Sequence, residues 1–486
     1  MKKVLEVGVL LSSERDLDRL LERILVCVME LAPCDAGTLY LREGDTLRFK
    51  IMRNNTLKTF SGGDGKDPDL PPVPLKRENV CALSFLEDQT ICIEDVRSSN
   101  SYDFSGPIRY DAMTGYHTQS MLVVPMRNRS GEKLGVVQLI NALDENGNVC
   151  PFRHDMILVL ESLGSQAAIA IQNMRYIREI KELFQSFVRM MSSAIDQRSP
   201  YNGSHTRHMA AYGGHFLDYL NEQARAAGKP EPYPPEQKEE LLMSVWLHDI
   251  GKLVTPLEIM NKTSRLLPEQ YTAFMDRMEI IRLRGQVSLL SGKCTAEELE
   301  LLKEETRKAA RLVEKTNISG FITEEKLSFL RRLAERTYTG EDGRPHPWIT
   351  QEELHMLSIR KGTLSPEERK IMEKHVEITD RLLTQIHFSP DLSHVREWAA
   401  GHHELLDGSG YPHHLTAKDI PKEVRIITIL DIFDALVADD RPYKPGMPVD
   451  QALAILDAMA REEGKLDIEL TEQFIKSKCW ERMDEE

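Results

Sequence analysis

The sequence predicts a multidomain protein in which an α+β domain is followed by an all-α domain that carries a long helical insertion. Three observations predict this class. The chain has 486 residues, which is too long for one ordinary core and suggests two or three domains. Residues 1–172 alternate strand-like and helix-like patterns, whereas residues 197–486 are dominated by helical periodicity. Between them, residues 157–196 keep a helical pattern without proline, as expected for a helical linker.

The composition is that of a globular protein, with 41% hydrophobic and 29% charged residues. No stretch approaches the roughly 18 continuous apolar residues that a membrane helix needs, and the first residues lack the pattern of a secretory signal. The seven cysteines are scattered without CxxC spacing, so we expect them to be reduced. These features together favour a cytoplasmic protein with no membrane partner.

The net charge is −15, which opposes binding to the backbone of nucleic acids. An anionic substrate would therefore need strong local positive charge. Bound divalent metals, together with a few Lys and Arg side chains, could supply that charge.

The N-terminal domain begins with a helical pattern over 16–33. β-rich runs then follow at 36–41, 47–53, 91–96 and 120–128. Within 126–141, Ser130 and Gly131 interrupt two β-rich runs, which predicts a hairpin. This part of the chain is therefore predicted to be α+β.

The end of this domain carries the run LGVVQLINALDENGNVCPF at 134–152, followed by a helical pattern over 155–173. These segments resemble the end of a GAF sensory domain, and the resemblance covers about the first third of the chain. It implies a small regulatory ligand. The motif of nucleotide-binding GAF domains is degenerate here, because Ala142 follows Asn141 and Arg153 follows Phe152, so the ligand stays unknown.

The linker region contains two series of apolar residues at heptad spacing, which are Ile177, Phe184 and Met191, and Ile180, Phe187 and Ala194. Such series are typical of a parallel coiled coil, and they predict a homodimer joined through this helix. The alternative is a helix that packs on its own domain.

Amphipathic helical patterns dominate about a hundred residues between Arg265 and Leu364, and most of this stretch, about 266–350, is treated as an insertion because the family that the flanking segments resemble normally has a much shorter connection here. Two capping boxes mark helix starts within it, Thr295 with Glu298 and Thr350 with Glu353. The segment carries no group of ligand-like residues. A helical lid, a partner surface and a dimer contact are all open as its role.

Several polar side chains of the second half form one dispersed set of possible metal ligands. They are His205, His248, Asp249, His375, His402, His403 and Asp431. Imidazole and carboxylate ligands suit iron, manganese or zinc, and a carboxylate can bridge two cations whereas a neutral imidazole holds one. If these residues converge, the chain is a metal-dependent hydrolase. Two metals about 3.5–4 Å apart would provide a nucleophile and neutralise phosphoryl charge.

Local sequence supports each position. Asp249 is chosen as the bridge because His248 precedes it in the same predicted helical turn, and Lys252 is predicted on the same face. His205 opens a helix, with His208 as its competitor. His375 lies on a helix that begins at Ser365 as N-cap.

The remaining candidates come from two further segments. His402 and His403 are expected at the end of a helix, where metal binding would satisfy two buried imidazoles. Asp431 follows a buried apolar run and needs a partner of the same kind. Asp434, one helical turn later, could orient a ligand or a water molecule.

The strings HDIGK at 248–252, HHELLDGSGYP at 402–412 and DIFDAL at 431–436 resemble the HD-GYP family of cyclic di-GMP phosphodiesterases. The resemblance covers about 199–265 and 365–445, with every ligand position filled. It favours His205 over His208. Some relatives have a carboxylate at the position of Tyr201 that supports a third metal, so two metals are expected here.

The resemblance implies hydrolysis of cyclic di-GMP, a bacterial second messenger, to pGpG, and it leaves open whether pGpG or GMP is the end product. It assigns one divalent metal to His205, His248, Asp249 and Asp431, and the other to Asp249, His375, His402 and His403. Iron or manganese is favoured, and zinc is compatible. Asp249 and Lys252 are the expected catalytic residues. The expected substrate contacts are Lys252, Tyr411, Asp434, Arg441 and Lys444.

Three alternatives stay open from the sequence. Tyr411 either touches substrate or packs its loop. The substrate is either cyclic di-GMP or another cyclic nucleotide, such as a mixed cyclic GMP-AMP dinucleotide. The whole chain is either an enzyme or a nucleotide-responsive interaction module with little turnover.

Overall fold

The computed structural model describes residues 16–63, 67–99, 102–198, 204–438 and 446–485. The chain divides into two compact units, residues 1–184 and 185–486, which are described separately below. Among the described residues, no helix is both long enough and apolar enough to span a membrane.

The first unit is built on one antiparallel sheet. Its strands are β1 (Cys34–Glu43), β2 (Thr46–Asn54), β3 (Thr59–Ser61), β4 (Val73–Pro74), β5 (Ile91–Ile93), β6 (Met121–Arg127), β7 (Lys133–Leu143) and β8 (Val149–Cys150). The strand order is β3-β2-β1-β7-β6-β5, with β4 paired to β2 and β8 paired to β7. The predicted hairpin is confirmed, because β6 and β7 pair antiparallel around the turn that contains Ser130 and Gly131.

The two faces of this sheet have separate cores. Helix α1 (Leu17–Leu31) and the start of α4 (His154–Asp196) contribute to one core together with residues such as Leu139. Helix α2 (Val80–Glu87) contributes to the other core, with residues such as Val136. Because successive side chains of a strand point to opposite faces, β7 contributes to both cores. A further helix, α3 (Ser105–Thr114), completes the helices of this unit in the described residues.

The second unit is mostly helical. Its helices outside the insertion are α5 (His205–Ala226), α6 (Pro235–Leu247), α7 (Leu257–Met260), α12 (Pro366–Leu383), α13 (Val395–Ala400), α14 (Lys422–Val437), α15 (Val449–Arg461) and α16 (Ile468–Ser477). Phe216, Phe433 and Phe474 lie in the core that joins α5, α14 and α16. This core fixes the helices that carry His205 and Asp431.

The predicted insertion forms a helical cluster with a core of its own, from Leu266 to Leu357. Its elements are α8 (Pro268–Leu290), α9 (Ala296–Ile318), α10 (Glu324–Glu335), β9 (Thr337–Thr339), β10 (Pro345–Pro347) and α11 (Gln351–Leu357). Both predicted capping boxes are confirmed. The short β9–β10 hairpin was not predicted, and the cluster extends a few residues beyond 350.

Candidate metal centre

All seven predicted ligands come together in the second unit. His205 is the first residue of α5, His248 and Asp249 follow the end of α6, His375 lies on α12, His402 and His403 follow α13, and Asp431 lies on α14. The ligand atoms of His205, His248 and Asp249 all lie within 4.8 Å of one another, and so do those of His375, His402 and His403. The chain therefore contains two neighbouring groups of donors with the chemistry of a metal site.

The carboxylate of Asp249 lies between these two groups. Its Oδ2 atom is 3.2 Å from Nε2 of His248 and 3.8 Å from Nε2 of His205. Its Oδ1 atom is 3.4 Å from Nε2 of His375 and 4.0 Å from Nε2 of His402. Metal–ligand bonds of about 2.0–2.2 Å put two ligands of one ion roughly 3–4 Å apart, so each oxygen is placed to share an ion with one group.

Asp431 provides a second carboxylate on the same side of the pocket. Its Oδ1 atom lies 3.2 Å from Nε2 of His205, and its Oδ2 atom lies 3.6 Å from Nδ1 of His403. The structure thus places Asp431 beside the group of His205, to which it was assigned. It also brings Asp431 close to His403 of the other group.

The outer nitrogens of the histidines are fixed by hydrogen bonds. Nδ1 of His248, His375 and His402 each donates, at 2.7 Å, to the backbone carbonyl three residues earlier, which belongs to Val245, Met372 and Ala399 respectively. These bonds set the tautomer and leave each Nε2 lone pair facing the pocket. Within the described residues, the three Nε2 atoms and Asp249 Oδ1 are buried without a hydrogen-bond partner. Buried polar atoms without partners are costly, and divalent cations would satisfy them.

Burial also keeps most of these imidazoles neutral. It lowers the pKa of His375 to about 4 and takes the pKa of His402 well below its usual value. The pKa of His403 is lowered for the same reason. Neutral imidazoles are the form that binds metal, so the group of His375, His402 and His403 fits a cation at neutral pH.

The charges around Asp249 and His205 favour a cation as well. Burial alone would raise the pKa of Asp249, but His248, Lys252 and His375 outweigh it and hold that pKa well below the usual range. Burial would lower the pKa of His205, but Asp431 and Asp434 outweigh it and raise that pKa to about 10. The surroundings of the His205 ring are therefore strongly anionic.

Asp434 was predicted to orient a ligand or a water molecule and to contact the substrate. Its Oδ2 atom accepts a hydrogen bond of 2.6 Å from Nδ1 of His205, and its side chain is 1% exposed. It lies behind the imidazole, where it orients His205, and its contact with the substrate stays a prediction. His208, the competing candidate, lies 3.5 Å from the other oxygen of Asp434 rather than beside Asp249 or Asp431.

The remaining predicted substrate contacts are placed as follows. Lys252 reaches the pocket, where its ammonium group donates to Asp249 Oδ2 at 2.5 Å. The expected shared helical face was wrong, because α6 ends at Leu247 and Lys252 lies in a 3-10 turn at Ile250–Val254. The Tyr411 ring lies 4.7 Å from that of His403, at the rim of the pocket. Arg441 and Lys444 lie outside the described residues, as does Tyr201.

Two buried threonines that were not predicted hold the ligand segments. The hydroxyl of Thr379 accepts from the Gly251 amide and donates to the His248 carbonyl, both at 3.0 Å. The hydroxyl of Thr428 donates to the His402 carbonyl at 2.9 Å. Thr379 lies four residues after His375, so a search for polar residues on the ligand-bearing face of that helix could have found it.

The first unit contains a separate cavity of about 510 Å³ on its sheet. Its walls are mainly apolar and aromatic, with Tyr40, Phe49 and Met121 among the lining residues. The Tyr40 hydroxyl donates to Gln138 Oε1 at 2.9 Å on the lining surface. A mostly apolar pocket with a few polar groups is typical of a site for a small molecule.

Comparisons with known proteins agree with both parts of the chain. Residues 16–171 match the model of the GAF domain, and residues 351–470 match the model of the HD domain. The chain therefore carries a GAF domain followed by an HD domain, as its sequence resemblance implied. The matched HD range begins after His205, His248 and Asp249, which the insertion separates from the other ligands along the chain.

Three curated proteins are similar to short parts of the chain. A cyclic di-GMP phosphodiesterase of Thermotoga maritima is 40% identical over 121 residues, which cover 25% of this chain and 32% of that protein. The 3'3'-cGAMP-specific phosphodiesterase 3 of Vibrio cholerae is 42% identical over 98 residues, 20% of each chain. The cyclic di-GMP phosphodiesterase response regulator RpfG of Xanthomonas campestris is 40% identical over 102 residues, 21% of this chain and 26% of that one. The chain thus spans a third or less of the length of these relatives.

Proposed function

We propose that this chain is a metal-dependent phosphodiesterase that hydrolyses cyclic di-GMP to pGpG, and further to GMP, under the control of its GAF domain. One observation carries the proposal. The two oxygens of Asp249 face two separate groups of imidazole nitrogens, an arrangement suited to a carboxylate that bridges two cations. The similarity of short segments to cyclic dinucleotide phosphodiesterases supports the choice of substrate.

The ligand set fits two divalent cations. His205, His248, Asp249 and Asp431 would hold one, and Asp249, His375, His402 and His403 would hold the other. The donors are nitrogen and oxygen without thiolate, which suits iron or manganese and is compatible with zinc. When bound, the two cations would activate a water molecule and neutralise charge on the phosphodiester.

The protein side chains position the reactants. Lys252 supplies a cation beside Asp249, where it can approach a phosphate oxygen of the substrate. Tyr411, on the rim next to His403, is placed to touch the substrate outside the donor groups. Arg441 and Lys444 are kept in the proposal as further phosphate contacts, on the strength of the sequence resemblance alone.

The test is anaerobic purification with elemental analysis, followed by assay with cyclic di-GMP, 3'3'-cGAMP and a cyclic mononucleotide. We expect about two metals per chain and linear products from cyclic di-GMP. Asp249→Ala should abolish turnover and weaken metal retention, whereas His413→Ala, at an exposed residue of the neighbouring loop, should change neither. Metal-loaded protein that cleaves none of the nucleotides would refute the enzyme and favour an interaction module.

A second substrate is favoured by one comparison. A relative named as 3'3'-cGAMP-specific phosphodiesterase 3 is 42% identical over its matched segment, compared with 40% for the cyclic di-GMP phosphodiesterase of Thermotoga maritima. The two dinucleotides share phosphodiester chemistry and differ in one base. The ratio of kcat/KM values for the two substrates decides between them.

The GAF domain and the linker complete the proposal. The cavity of about 510 Å³ would bind the regulatory small molecule. Helix α4 would join two copies of the chain, because it exposes a stripe of large apolar side chains, Tyr176, Ile177, Ile180, Leu183, Phe187 and Met190. A stripe at heptad spacing is suited to a second copy of the same helix. A cytoplasmic location is part of the same proposal.

A further inference from the structure

The end of helix α4 differs from its middle. Residues 176–183 are exposed, whereas Val188, Ser192, Ile195 and Asp196 are buried in the second unit. Ser192 and Asp196 carry polar side chains in this buried part. Buried polar groups are normally held by hydrogen bonds, so the partners of Ser192 and Asp196 show which segments this end of the helix holds in place.

Each polar side chain at this end contacts a segment that carries a metal-ligand candidate. The Ser192 hydroxyl donates to the carbonyl of Trp246, two residues before His248. The Asp196 carboxylate accepts, at 3.1 Å, from the hydroxyl of Thr206, the neighbour of His205. One short helix end therefore touches both segments of the first donor group.

Arg198 makes the third contact, just after the helix. Its guanidinium group donates to the carbonyl of Lys252 at 3.0 Å and to the carbonyl of Leu253. Both carbonyls belong to the 3-10 turn that begins after Asp249. The Lys252 carbonyl also accepts from the Thr255 amide at 3.2 Å, so the guanidinium group adds two side-chain bonds to the carbonyls of this turn and helps to fix its position.

Thr379 holds this turn from α12, and Arg198 holds it from the side of α4. The distances between Nε2 of His205 and the two carboxylates are 3.2 and 3.8 Å. A shift of the segments by about 1 Å would spoil a catalytic geometry of this kind.

We propose that Asp196 and Arg198, assisted by Ser192, are positioning residues that set the spacing between His205 and Asp249, and that helix α4 regulates the metal centre through them. This inference rests on the proposed function and names the route of its regulation. Because α4 is one continuous helix from His154, a rotation or shift of the helix acts directly on both ligand segments.

The test compares full-length variants with the wild-type protein. Arg198→Ala and Asp196→Ala should each lower kcat by about tenfold to a hundredfold with little change in KM, as loss of groups that orient metal ligands does. The same variants should release manganese to a chelator faster by a similar factor. Arg198→Lys and Asp196→Asn keep a donor or an acceptor and should restore part of both properties.

Gln185→Ala is the matched control. Gln185 lies on the same helix and donates to the side chain of Glu239 at 2.8 Å, so it contacts α6 more than a helical turn away from Trp246 and the ligand candidates. It should leave kcat and metal release unchanged. The inference is overturned if Arg198→Ala and Asp196→Ala behave like Gln185→Ala, or if they lower the unfolding temperature while kcat and metal release per folded protein stay at wild-type values.

Metal release needs no nucleotide, so the two proposals fail in different ways. Absence of turnover in the wild-type protein would refute the phosphodiesterase activity and leave the release measurement intact. Unchanged release in both alanine variants would refute the positioning role, whatever the substrate.

Discussion

At the scale of single residues, the ligand set could be predicted from sequence because each ligand lies in a short motif. His248 with Asp249 and His402 with His403 are adjacent pairs, and Asp431 ends an apolar run. The residues that orient them could not be predicted in the same way. Thr379 bonds the carbonyl of a residue 131 positions away, and such a partner is set only by tertiary packing.

Thr379→Val tests the role of this hydroxyl. The change keeps the shape of the side chain but leaves the His248 carbonyl and the Gly251 amide without their partner. We expect a loss of stability of about 1–3 kcal/mol, because buried polar groups lose their hydrogen bonds. We also expect metal affinity to fall by about 10- to 100-fold.

Chemical denaturation and metal titration measure the two effects. Thr384→Val is the matched control, since the Thr384 hydroxyl is exposed and bonds only the carbonyl of Asp380. A Thr379→Val protein with wild-type metal affinity would show that this bond does not position the ligands.

Gly251 permits a close approach of two ligand segments. A Cβ atom at this position would lie 1.9 Å from the backbone oxygen of His375, a distance that the structure cannot accept without a shift. Gly251→Ala should therefore separate the segment of Asp249 from that of His375, and turnover should fall by about a hundredfold or more. Steady-state kinetics at saturating metal measure the loss.

Gly214→Ala is the control for this change. Gly214 lies within α5, and a Cβ atom there would meet nothing within 4 Å. It should keep full activity and stabilise the helix by up to about 1 kcal/mol. Equal activities of the two alanine variants would contradict the steric argument.

At the scale of elements, the capping signals were the most reliable part of the sequence. Ser365, Thr295 and Thr350 begin helices as predicted, because a capping box is complete within four residues. The two-residue strand β4 and the helix α3 were not predicted. Strands of two or three residues depend on partners distant in sequence, so local periodicity does not reveal them.

Helix α4 was predicted in outline, and its exposed stripe carries a prediction about assembly. Phe187→Glu together with Ile180→Glu should convert a dimer to a monomer, because each places a charge in the middle of the apolar stripe. Light scattering coupled to size-exclusion chromatography measures the mass. Glu182→Lys, on an exposed residue of the same helix outside the stripe, should leave the dimer intact.

A monomeric mass for the wild-type protein at every concentration tested would contradict the coiled coil. If the double variant is still a dimer, the dimer interface lies outside the apolar stripe. Both outcomes concern the assembly and leave the assignment of the metal ligands unchanged, because the ligand candidates lie on segments beyond α4.

At the scale of the whole molecule, the insertion was recognised from its length, but its anchoring was not. Arg265 is fully buried, and its guanidinium group donates to the carbonyls of Ile359 at 3.1 Å, Ser319 at 2.6 Å and Thr316. One side chain thus joins the start of the insertion to its end and to the end of α9. An arginine with partners 51 to 94 positions away carries no local signal of this role.

The residues that flank the insertion on its two sides lie in contact, so the insertion can be replaced by a short linker. The Thr363 hydroxyl donates to the Lys262 carbonyl at 3.1 Å, and the ammonium group of Lys262 bonds Glu368 at the start of α12. None of the seven ligands lies in the cluster, whose core is separate from that of α5 and α14. Replacing residues 266–359 by a short Gly-Ser segment should therefore keep the helical unit folded with both metals bound.

Elemental analysis and kinetics of this deletion protein separate the open roles of the insertion. If the insertion is a lid, its deletion should change KM while the metal content is retained. If it is a dimer contact, its deletion should reduce the number of chains in the assembly. Adding Asp249→Ala to the deletion protein should remove the metals, which controls for adventitious binding. Loss of metal from the deletion protein, with its helical spectrum intact, would instead make the insertion part of the metal centre, contrary to the separation of the two cores.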